Sequence, residues 1–447
     1  MKQLFGTDGI RGHAGEFPLD DKTIAAIGDS LARQLSERLG RPPRFVSGRD
    51  TRESGQGIEA AFHAGAESAG AACESAGVIT TPGVAYLAGK FGFDAGIVIS
   101  ASHNPFQDNG IKIFAPTGRK IVGATERAIE ADIYSKADVE YSMENALHSA
   151  RGDEFAVAYI EHLKEQVNGL SADGIRIIID CANGAASGFA PKLFKTLGAN
   201  VVAIQDAPDG RNINENCGSL HLEHLQAKVV EERAAFGVAF DGDADRALFV
   251  DETGNIIDGD ATLWVMARYL KDHGHLRNST VVATVMSNIG LEKAFEAEGI
   301  ALLRTDVGDK FVLDKLVETG SEIGGEQSGH IIFPEISWVG DGMMTALLLL
   351  RAISEKGVSL SDATAGFKRY PQILVNVRVG EKRPFNEVPA IAAAAAEVER
   401  ELHGEGRLLL RYSGTENLAR VMIEGKDQTA IDAQANRLAE VIRAALG

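Results

Sequence analysis

Three times along this 447-residue chain a short apolar run enters a small or polar turn and then a longer amphipathic stretch. The first copy is Arg44-Phe45-Val46-Ser47-Gly48-Arg49-Asp50, leading into a helix expected to reach Ala72. The second runs through residues 175–180, turns at Cys181-Ala182-Asn183-Gly184 and gives a helix ending near Leu197-Gly198. The third runs through residues 281–285, turns at Met286-Ser287-Asn288-Ile289-Gly290 and stays helical to Ala297. β-Branched runs alternating with helical stretches build α/β units. Copies spaced by somewhat over 100 residues predict three related α/β domains.

The last part of the chain follows another pattern. Residues 372–379 alternate as a strand, 385–402 read as a helix with a five-alanine run, and 429–446 as a closing helix. Between them, 408–410 and 418–423 read as two paired strands around a Gly-containing loop. A β-α-β-β-α unit of ~75 residues is enough for a small domain. The expected fold is α/β, three related mixed α/β domains plus a smaller C-terminal α+β domain, divided as residues 1–155, 156–255, 256–369 and 370–447. The polar stretch after Lys136 and the segment 367–371 are the expected boundaries.

Charge narrows the partners. Sixty-three acids against 45 bases leave a net charge of −18, which works against nucleic acid or an anionic membrane, since both need a basic face. An acidic chain that binds an anion must gather its bases at one place. Cys73, Cys181 and Cys217 are too few and scattered for a disulfide framework or a Cys-rich zinc site. The opening Met-Lys-Gln-Leu-Phe-Gly-Thr-Asp lacks an apolar core, and the strongly apolar stretch at 343–350 is far short of the ~20 residues that span a bilayer. A cytoplasmic protein is expected.

Two segments carry the chemistry. In Ile97-Val98-Ile99-Ser100-Ala101-Ser102-His103-Asn104-Pro105 a strand runs into a small-residue turn that Pro105 keeps irregular. Ser102 sits where a hydroxyl can be presented to a cleft, although a turn-forming serine with an Asn-Pro stop has the same pattern. Asp241-Gly242-Asp243-Ala244-Asp245-Arg246 lies between two apolar runs. Three carboxylates at alternate positions, separated by small residues, can converge on one hard cation, and oxygen-only ligands suit Mg2+ or Ca2+ rather than zinc. An EF-hand is rejected, because Arg246 stands at the position that needs glycine and the flanks read as strands.

Three further loops suit anions or sugars. Phe5-Gly6-Thr7-Asp8-Gly9-Ile10-Arg11-Gly12 offers backbone amides and a guanidinium. Gly325-Glu326-Gln327-Ser328-Gly329-His330 sets a carboxylate, an amide and a hydroxyl in a row. Arg411-Tyr412-Ser413-Gly414-Thr415-Glu416-Asn417-Leu418-Ala419-Arg420 combines hydroxyls, amides and two arginines, as a phosphate requires. Singly these are weak signals.

Together, in this order and spacing and with Asp108-Asn109-Gly110-Ile111-Lys112, the segments resemble the α-D-phosphohexomutase family over essentially the whole chain. The resemblance implies four domains around a central cleft, each giving one loop. It makes Ser102 the phosphorylated serine, with Asp241, Asp243 and Asp245 holding Mg2+ beside its phosphate. Glu326 and Ser328 become sugar-hydroxyl contacts. Arg411, Ser413, Gly414, Thr415 and Arg420 become the seat of the phosphate that is not reacting. Arg11, Lys112, Arg246 and His330 become cationic and acid–base groups around the transferring phosphoryl, and Thr305-Asp306-Val307-Gly308-Asp309-Lys310 the sugar-orienting loop through Asp309 and Lys310. Asn417, Tyr412, Phe106-Gln107 and Ser337-Trp338-Val339 depart from the family's pattern.

The implied activity interconverts glucosamine 6-phosphate and glucosamine 1-phosphate, a step toward cell-wall amino sugars, through a phosphoserine and glucosamine 1,6-bisphosphate. Gln327 favours the amino sugar. The partner is then a small hexosamine phosphate, with a homodimer as the assembly allowed. The alternatives are a phosphomannomutase or phosphoglucomutase of the same family, a non-catalytic sugar-phosphate sensor, and a metal-dependent phosphatase. Phosphoryl transfer needs in-line positioning and neutralised equatorial charge, which Mg2+, Lys112 and Arg246 supply in this reading. A bisphosphate that turns round needs a second phosphate seat, and a hydrolase does not. Lys112 and His330 are the acid–base candidates, a neutral lysine requiring burial or cationic neighbours. His103 reads as loop-shaping or phosphate-contacting, because adjacent side chains rarely face each other and no Gly-x-Ser-x-Gly elbow is present.

Overall fold

The computed structural model describes residues 4–6, 8–121, 123–135, 141, 147, 151–413 and 416–447. The chain forms two compact units, Met1–Met286 with Leu302–Ala365 and Ser287–Ala301 with Gly366–Gly447. The expected boundary after Lys136 lies outside the described residues, whereas the one near 367–371 falls where the second unit begins its main run.

The first unit holds three sheets with one common plan. In the first, the strands Arg44–Arg49, Ala72–Val78, Ala95–Ile99 and Asp108–Phe114 lie in the spatial order second, first, third, fourth. The same order recurs for Arg176–Asp180, Asn200–Ile204, Phe236–Phe240 and Ala247–Asp251, and again for Thr280–Thr284, Ala301–Thr305, Gly324–Gly325 and Ile331–Ile332. In each sheet the first and third strands are parallel and the third and fourth antiparallel, with Ile99 opposite Ile111, Phe240 opposite Ala247 and Gly325 opposite Ile331. The antiparallel turn from third to fourth strand therefore has an equivalent place in all three. The first sheet also carries Gly9–His13, paired to Asp108–Phe114, and beyond it Phe5–Gly6, paired to Gly9–His13.

Ile97, Ile99, Ile111 and Ile113 pack with Phe45 and Phe62 under the helices Asp21–Leu39 and Gly55–Ser68. The second of these helices ends at Ser68, short of the expected Ala72, which instead opens a strand. Gly70, with φ 88°, makes the turn between them. A left-handed backbone that glycine adopts without a Cβ clash ends the helical run.

The second unit is a three-stranded antiparallel sheet, Gln372–Arg378, Leu418–Glu424 and Arg407–Tyr412 in that spatial order. The helices Pro389–Leu402 and Gln428–Leu446 supply Ile391, Val398, Leu438 and Ile442 to its core. The first helix starts at Pro389 and not at the expected Phe385, since proline suits the first helical turn; residues Phe385–Glu387 form a separate 3-10 turn. The helix Ile289–Ala297 joins this unit where buried Glu424 accepts from Asn288 Nδ2 at 3.2 Å and from the amide of Ile289 at 3.2 Å. Among the described residues no helix is long and apolar enough to cross a membrane. All three cysteines are buried and unbridged.

Candidate active site

The third-to-fourth strand turns of the first unit carry three of the segments that the sequence singled out: the Ser102 turn, Asp241–Arg246, and Glu326–His330. Backbone hydrogen bonds tie the second of these turns to the third and to neighbouring segments. Thr81 N donates to Asp243 O at 3.0 Å, Gly342 N to Ala244 O at 2.9 Å and Ala247 N to Gly329 O at 3.1 Å.

Ser102 has φ 54°, a left-handed conformation that costs a non-glycine residue ~1–3 kcal/mol, and is 1 % exposed. Its Oγ donates to Asp241 Oδ2 at 2.5 Å. The same backbone turn swings the neighbouring side chain back, so that His103 Nδ1 lies 3.2 Å from Ser102 Oγ. The two adjacent side chains do face each other, contrary to the sequence expectation. Arg246 Nη1 also reaches His103 Nδ1, at 3.0 Å. Burial, then the Arg246 and Arg11 charges, push His103 down to about 4, so its ring is neutral and Nδ1 accepts.

Asp241, Asp243 and Asp245 are buried, and one oxygen from each lies within 4.8 Å of the others. Ala244, with φ 56°, bends the loop so that alternate carboxylates converge. Burial, then Asp245 and Asp243, raise Asp241 well above the usual carboxylate range. Asp243 Oδ1 is buried with no hydrogen-bond partner, an orphan that a hard cation would satisfy. Thr81 Oγ1 donates to Asp243 Oδ2 at 2.5 Å and fixes that side chain.

Lys112, 1 % exposed, points its ammonium at Asp8, Asp243 and Asp245 at 3.0, 2.9 and 3.2 Å. Burial opposes its charge, but these carboxylates raise it well above the ordinary lysine value. The burial that a neutral lysine base would need is present; its neighbours are of the wrong sign. Lys112 neutralises charge here. Burial likewise opposes ionisation of Asp8, yet Lys112 and Lys120 hold it far below the usual range.

A cavity of about 380 Å³ opens beside this cluster, with Arg11, Arg246, Asp309, Glu326 and His330 in its wall. Its volume is that of a small-molecule site. Arg11 Nη2 is bonded to Asp8 Oδ2 at 2.5 Å. Glu326 Oε1 accepts from Gly308 N at 3.1 Å, tying the loop at residues 305–310 to the third turn. His330 is wedged against Gly340, where a Cβ would stand 2.6 Å from its ring, and Gly340 N lies 3.2 Å from Nε2. That amide favours the neutral ring, but Asp245, Asp309 and Glu326 outweigh both it and burial and raise His330 to about 9. Ser328 is half-buried in the same turn, and Lys310 is exposed with its amide on Asp309 Oδ1 at 2.8 Å. Neither is in the cavity wall among the described residues.

Sequence reasoning missed Asp8, Lys120 and Thr81 as site residues. Lys120 bridges Asp8 Oδ1 and Asp309 Oδ2 at 2.6 Å each, joining elements 112 and 189 residues apart. Only Asp8 left a signal, inside the Gly-Thr-Asp-Gly run.

In the second unit Arg411 and Arg420 face each other across paired strands. Like charges directly opposite are unfavourable, and burial with the Arg420 charge lowers Arg411. Arg420 Nε is buried without a partner, and Ser413 N donates to Leu418 O at 2.8 Å to close the hairpin. An anion would relieve this pair. Gly414 and Thr415 lie outside the described residues.

The chain matches four domain families in succession. They are Phosphoglucomutase/phosphomannomutase, alpha/beta/alpha domain I over residues 2–140, domain II over 157–254, domain III over 258–370 and the C-terminal domain over 374–441. It is 49 % identical over 446 residues to a phosphoglucosamine mutase of Solibacter usitatus, covering 100 % of this chain and 99 % of the relative. A phosphoglucosamine mutase of Caldicellulosiruptor bescii is 48 % identical over 450 residues, with both chains fully covered. The crystal structure of a phosphoglucomutase/phosphomannomutase family protein from Burkholderia thailandensis superposes with a TM-score of 0.80 at 25 % identity, over 100 % of this chain and 98 % of that one. With all four domain types present in order and full-length relatives of this kind, the chain belongs to the phosphoglucomutase/phosphomannomutase family of phosphohexomutase isomerases.

Proposed function

We propose that this chain interconverts glucosamine 6-phosphate and glucosamine 1-phosphate, with Ser102 as the group that gives and takes back the phosphoryl. The observation that carries the reading is Ser102 Oγ held 2.5 Å from a buried three-carboxylate cluster. The names of the full-length relatives point to glucosamine as the sugar.

Asp241, Asp243 and Asp245, with an oxygen of phospho-Ser102, would hold Mg2+; the orphaned Asp243 Oδ1 and the all-oxygen donor set fit it. Bound there, the ion would neutralise charge on the transferring phosphoryl. Lys112 and Arg246 add fixed positive charge beside it, and Arg11 does so at the cavity wall. His330, kept protonated by its carboxylate neighbours, serves as a donor to phosphate or sugar oxygen. Glu326 accepts from sugar hydroxyls, with Ser328, Asp309 and Lys310 on the adjoining loops. Arg411, Ser413 and Arg420, with Gly414 and Thr415, seat the phosphate that is not reacting. In this reading residues 1–155, 156–255, 256–369 and 370–447 each give one loop, glucosamine 1,6-bisphosphate is the intermediate, and the enzyme works in the cytoplasm.

Intact-protein mass spectrometry after incubation with a sugar 1,6-bisphosphate is expected to find one phosphate per chain, on Ser102 and absent from Ser102→Ala. With bisphosphate primer and Mg2+, glucosamine 6-phosphate should turn over faster than glucose or mannose 6-phosphate. Full activity of Ser102→Ala would sink the mechanism, and glucosamine as the poorest substrate would sink the sugar assignment.

A further inference from the structure

We propose that Arg52 and Asn214 are positioning residues for the phosphoryl-carrying serine, a role that rests on the mutase reading above. Each reaches over the Ser102 turn and donates to the same two carbonyls. Arg52 Nη2 lies 3.1 Å from Ser102 O and 2.6 Å from Asn104 O. Asn214 Nδ2 lies 2.9 Å from each. Two carbonyls that the left-handed turn points in one direction thus share four donated contacts from two side chains. The orientation of the Asn214 amide is fixed by chemistry, since its oxygen in that place would face two acceptors.

Arg52 is buried and anchored from behind. Its Nη1 pairs with Asp50 Oδ2, its amide donates to Asp50 Oδ1 at 3.0 Å, and Asp50 Oδ2 accepts from Ser100 Oγ at 2.6 Å. Ser100 Oγ in turn accepts the amide of Ser102 at 2.9 Å. Both ends of the Ser102 peptide frame therefore lead back to the Asp50–Arg52 pair. Asn214 comes from the other side, on the loop that precedes the 3-10 turn Gly218–Leu220, with φ 60° and its amide on Ala182 O at 2.9 Å. The carboxylate loop closes the third side, because a Cβ on Gly242 would stand 2.6 Å from Ser102 O.

This arrangement solves a problem set by the chemistry. The hydrogen bond from Ser102 Oγ to Asp241 exists only while the serine is unmodified. Once Oγ carries phosphate its proton is gone and that tie is lost. The grip on the Ser102 carbonyl is independent of what Oγ bears, so it holds the turn in both halves of the cycle. Neither Arg52 nor Asn214 lines the cavity, and neither touches a reacting atom.

The test compares Asn214→Leu, which keeps shape and removes the donor without adding charge, with Arg52→Lys, which keeps charge and removes the fork. Activity is read with glucosamine 6-phosphate, a glucose 1,6-bisphosphate primer and Mg2+. For Asn214→Leu we expect kcat to fall about 10²-fold, the size typical of an ångström-scale misplacement, with KM within about threefold. Arg52→Lys should fall between this variant and wild type. Amide hydrogen exchange over residues 100–106 should quicken in both while the melting temperature stays near wild type. A kcat within about threefold of wild type in both variants, a change confined to KM, unchanged exchange over 100–106, or failure of both variants to fold overturns the proposal. Should wild type neither take phosphate on Ser102 nor turn over any hexose phosphate, the mutase reading falls, and the exchange measurement still decides whether the grip exists.

Discussion

Two regions of this molecule gather positive charge, and they arrange it in different ways. Around Ser102 the cations are engaged before any ligand arrives: Lys112 with three carboxylates, Arg246 with His103 and Asp245, Arg11 with Asp8. In the C-terminal unit Arg411 and Arg420 stand opposite each other on neighbouring strands. The first arrangement is stiff and suits a group that must be aimed. The second sets two guanidiniums of like charge side by side, an arrangement that an incoming anion would favour. An acidic chain with net charge −18 can do both only by concentrating its bases.

The comparison breaks first if the carboxylate cluster is dispensable. Asp243→Asn removes an oxygen that Lys112 and Thr81 both hold and leaves the orphaned atom as an amide. Loss of several kcal/mol of charge stabilisation should lower kcat by about 10³-fold or more, measured at saturating Mg2+. Activity within tenfold of wild type would show that the cluster is structural. Next in size is Lys112→Met, which leaves buried Asp243 and Asp245 and half-buried Asp8 without their ammonium. Breaking a buried pair in this way costs about 3–5 kcal/mol. The expected result is a lowered melting temperature in chelator that Mg2+ raises by more than it raises wild type. Equal responses to Mg2+ would argue against a cation site beside Lys112.

The carboxylate cluster of the first region was legible because its members lie close in the chain: Asp241, Asp243 and Asp245 alternate within one loop. The hairpin around Ser413 was legible for the same reason, its strands being close in sequence. What could not be read is set by long-range packing. Lys120 meets Asp309 across 189 positions and Thr81 meets Asp243 across 162, and no local pattern encodes either pair. The approach of His103 to Ser102 could not be read because it follows from φ 54° at Ser102, a conformation that serine's own preference does not call for. Alternating strands and helices predicted the repeated α/β units. Their shared strand order, which brings three equivalent turns to the site, depends on pairings that alternation leaves open.

A smaller effect sharpens the second half of the comparison. Arg420→Ala relieves the cross-strand repulsion and removes a phosphate ligand together. A charge-assisted contact to phosphate contributes about 1.5–3 kcal/mol, so kcat/KM should fall by about 10- to 10²-fold. Phosphate on Ser102 of the isolated protein should remain, in contrast to Ser102→Ala, and the melting temperature should hold or rise. Loss of the covalent phosphate in Arg420→Ala would mean that the two regions do not divide the work as described.

The last test concerns buried acids outside the wall of the cavity beside Ser102, one in each unit. Asp341 caps the helix Gly342–Lys356 through the amide of Met344 at 3.0 Å and accepts from Tyr159 OH at 2.8 Å. Both partners are neutral, and burial pushes its carboxyl up to about 6. Glu424 is equally buried but meets Arg407 Nη2 at 2.8 Å. A carboxyl raised in the folded state binds its proton more tightly there than in the unfolded chain. Its favourable contribution is complete below the unfolded value near 3.8 and disappears as pH rises through about 6. Asp341→Asn keeps the capping oxygen and removes the charge, so it should stabilise the protein near neutral and alkaline pH by on the order of 2 kcal/mol, with no gain below about pH 4. Glu424→Gln should do the reverse at neutral pH, because it removes the charge that a half-buried guanidinium meets at 2.8 Å. Melting curves of the two variants across pH decide this: opposite signs mean that the first unit tolerates an uncompensated charge for the sake of a helix cap, and the same sign in both would show that pairing with Arg407 is not what distinguishes the two carboxylates.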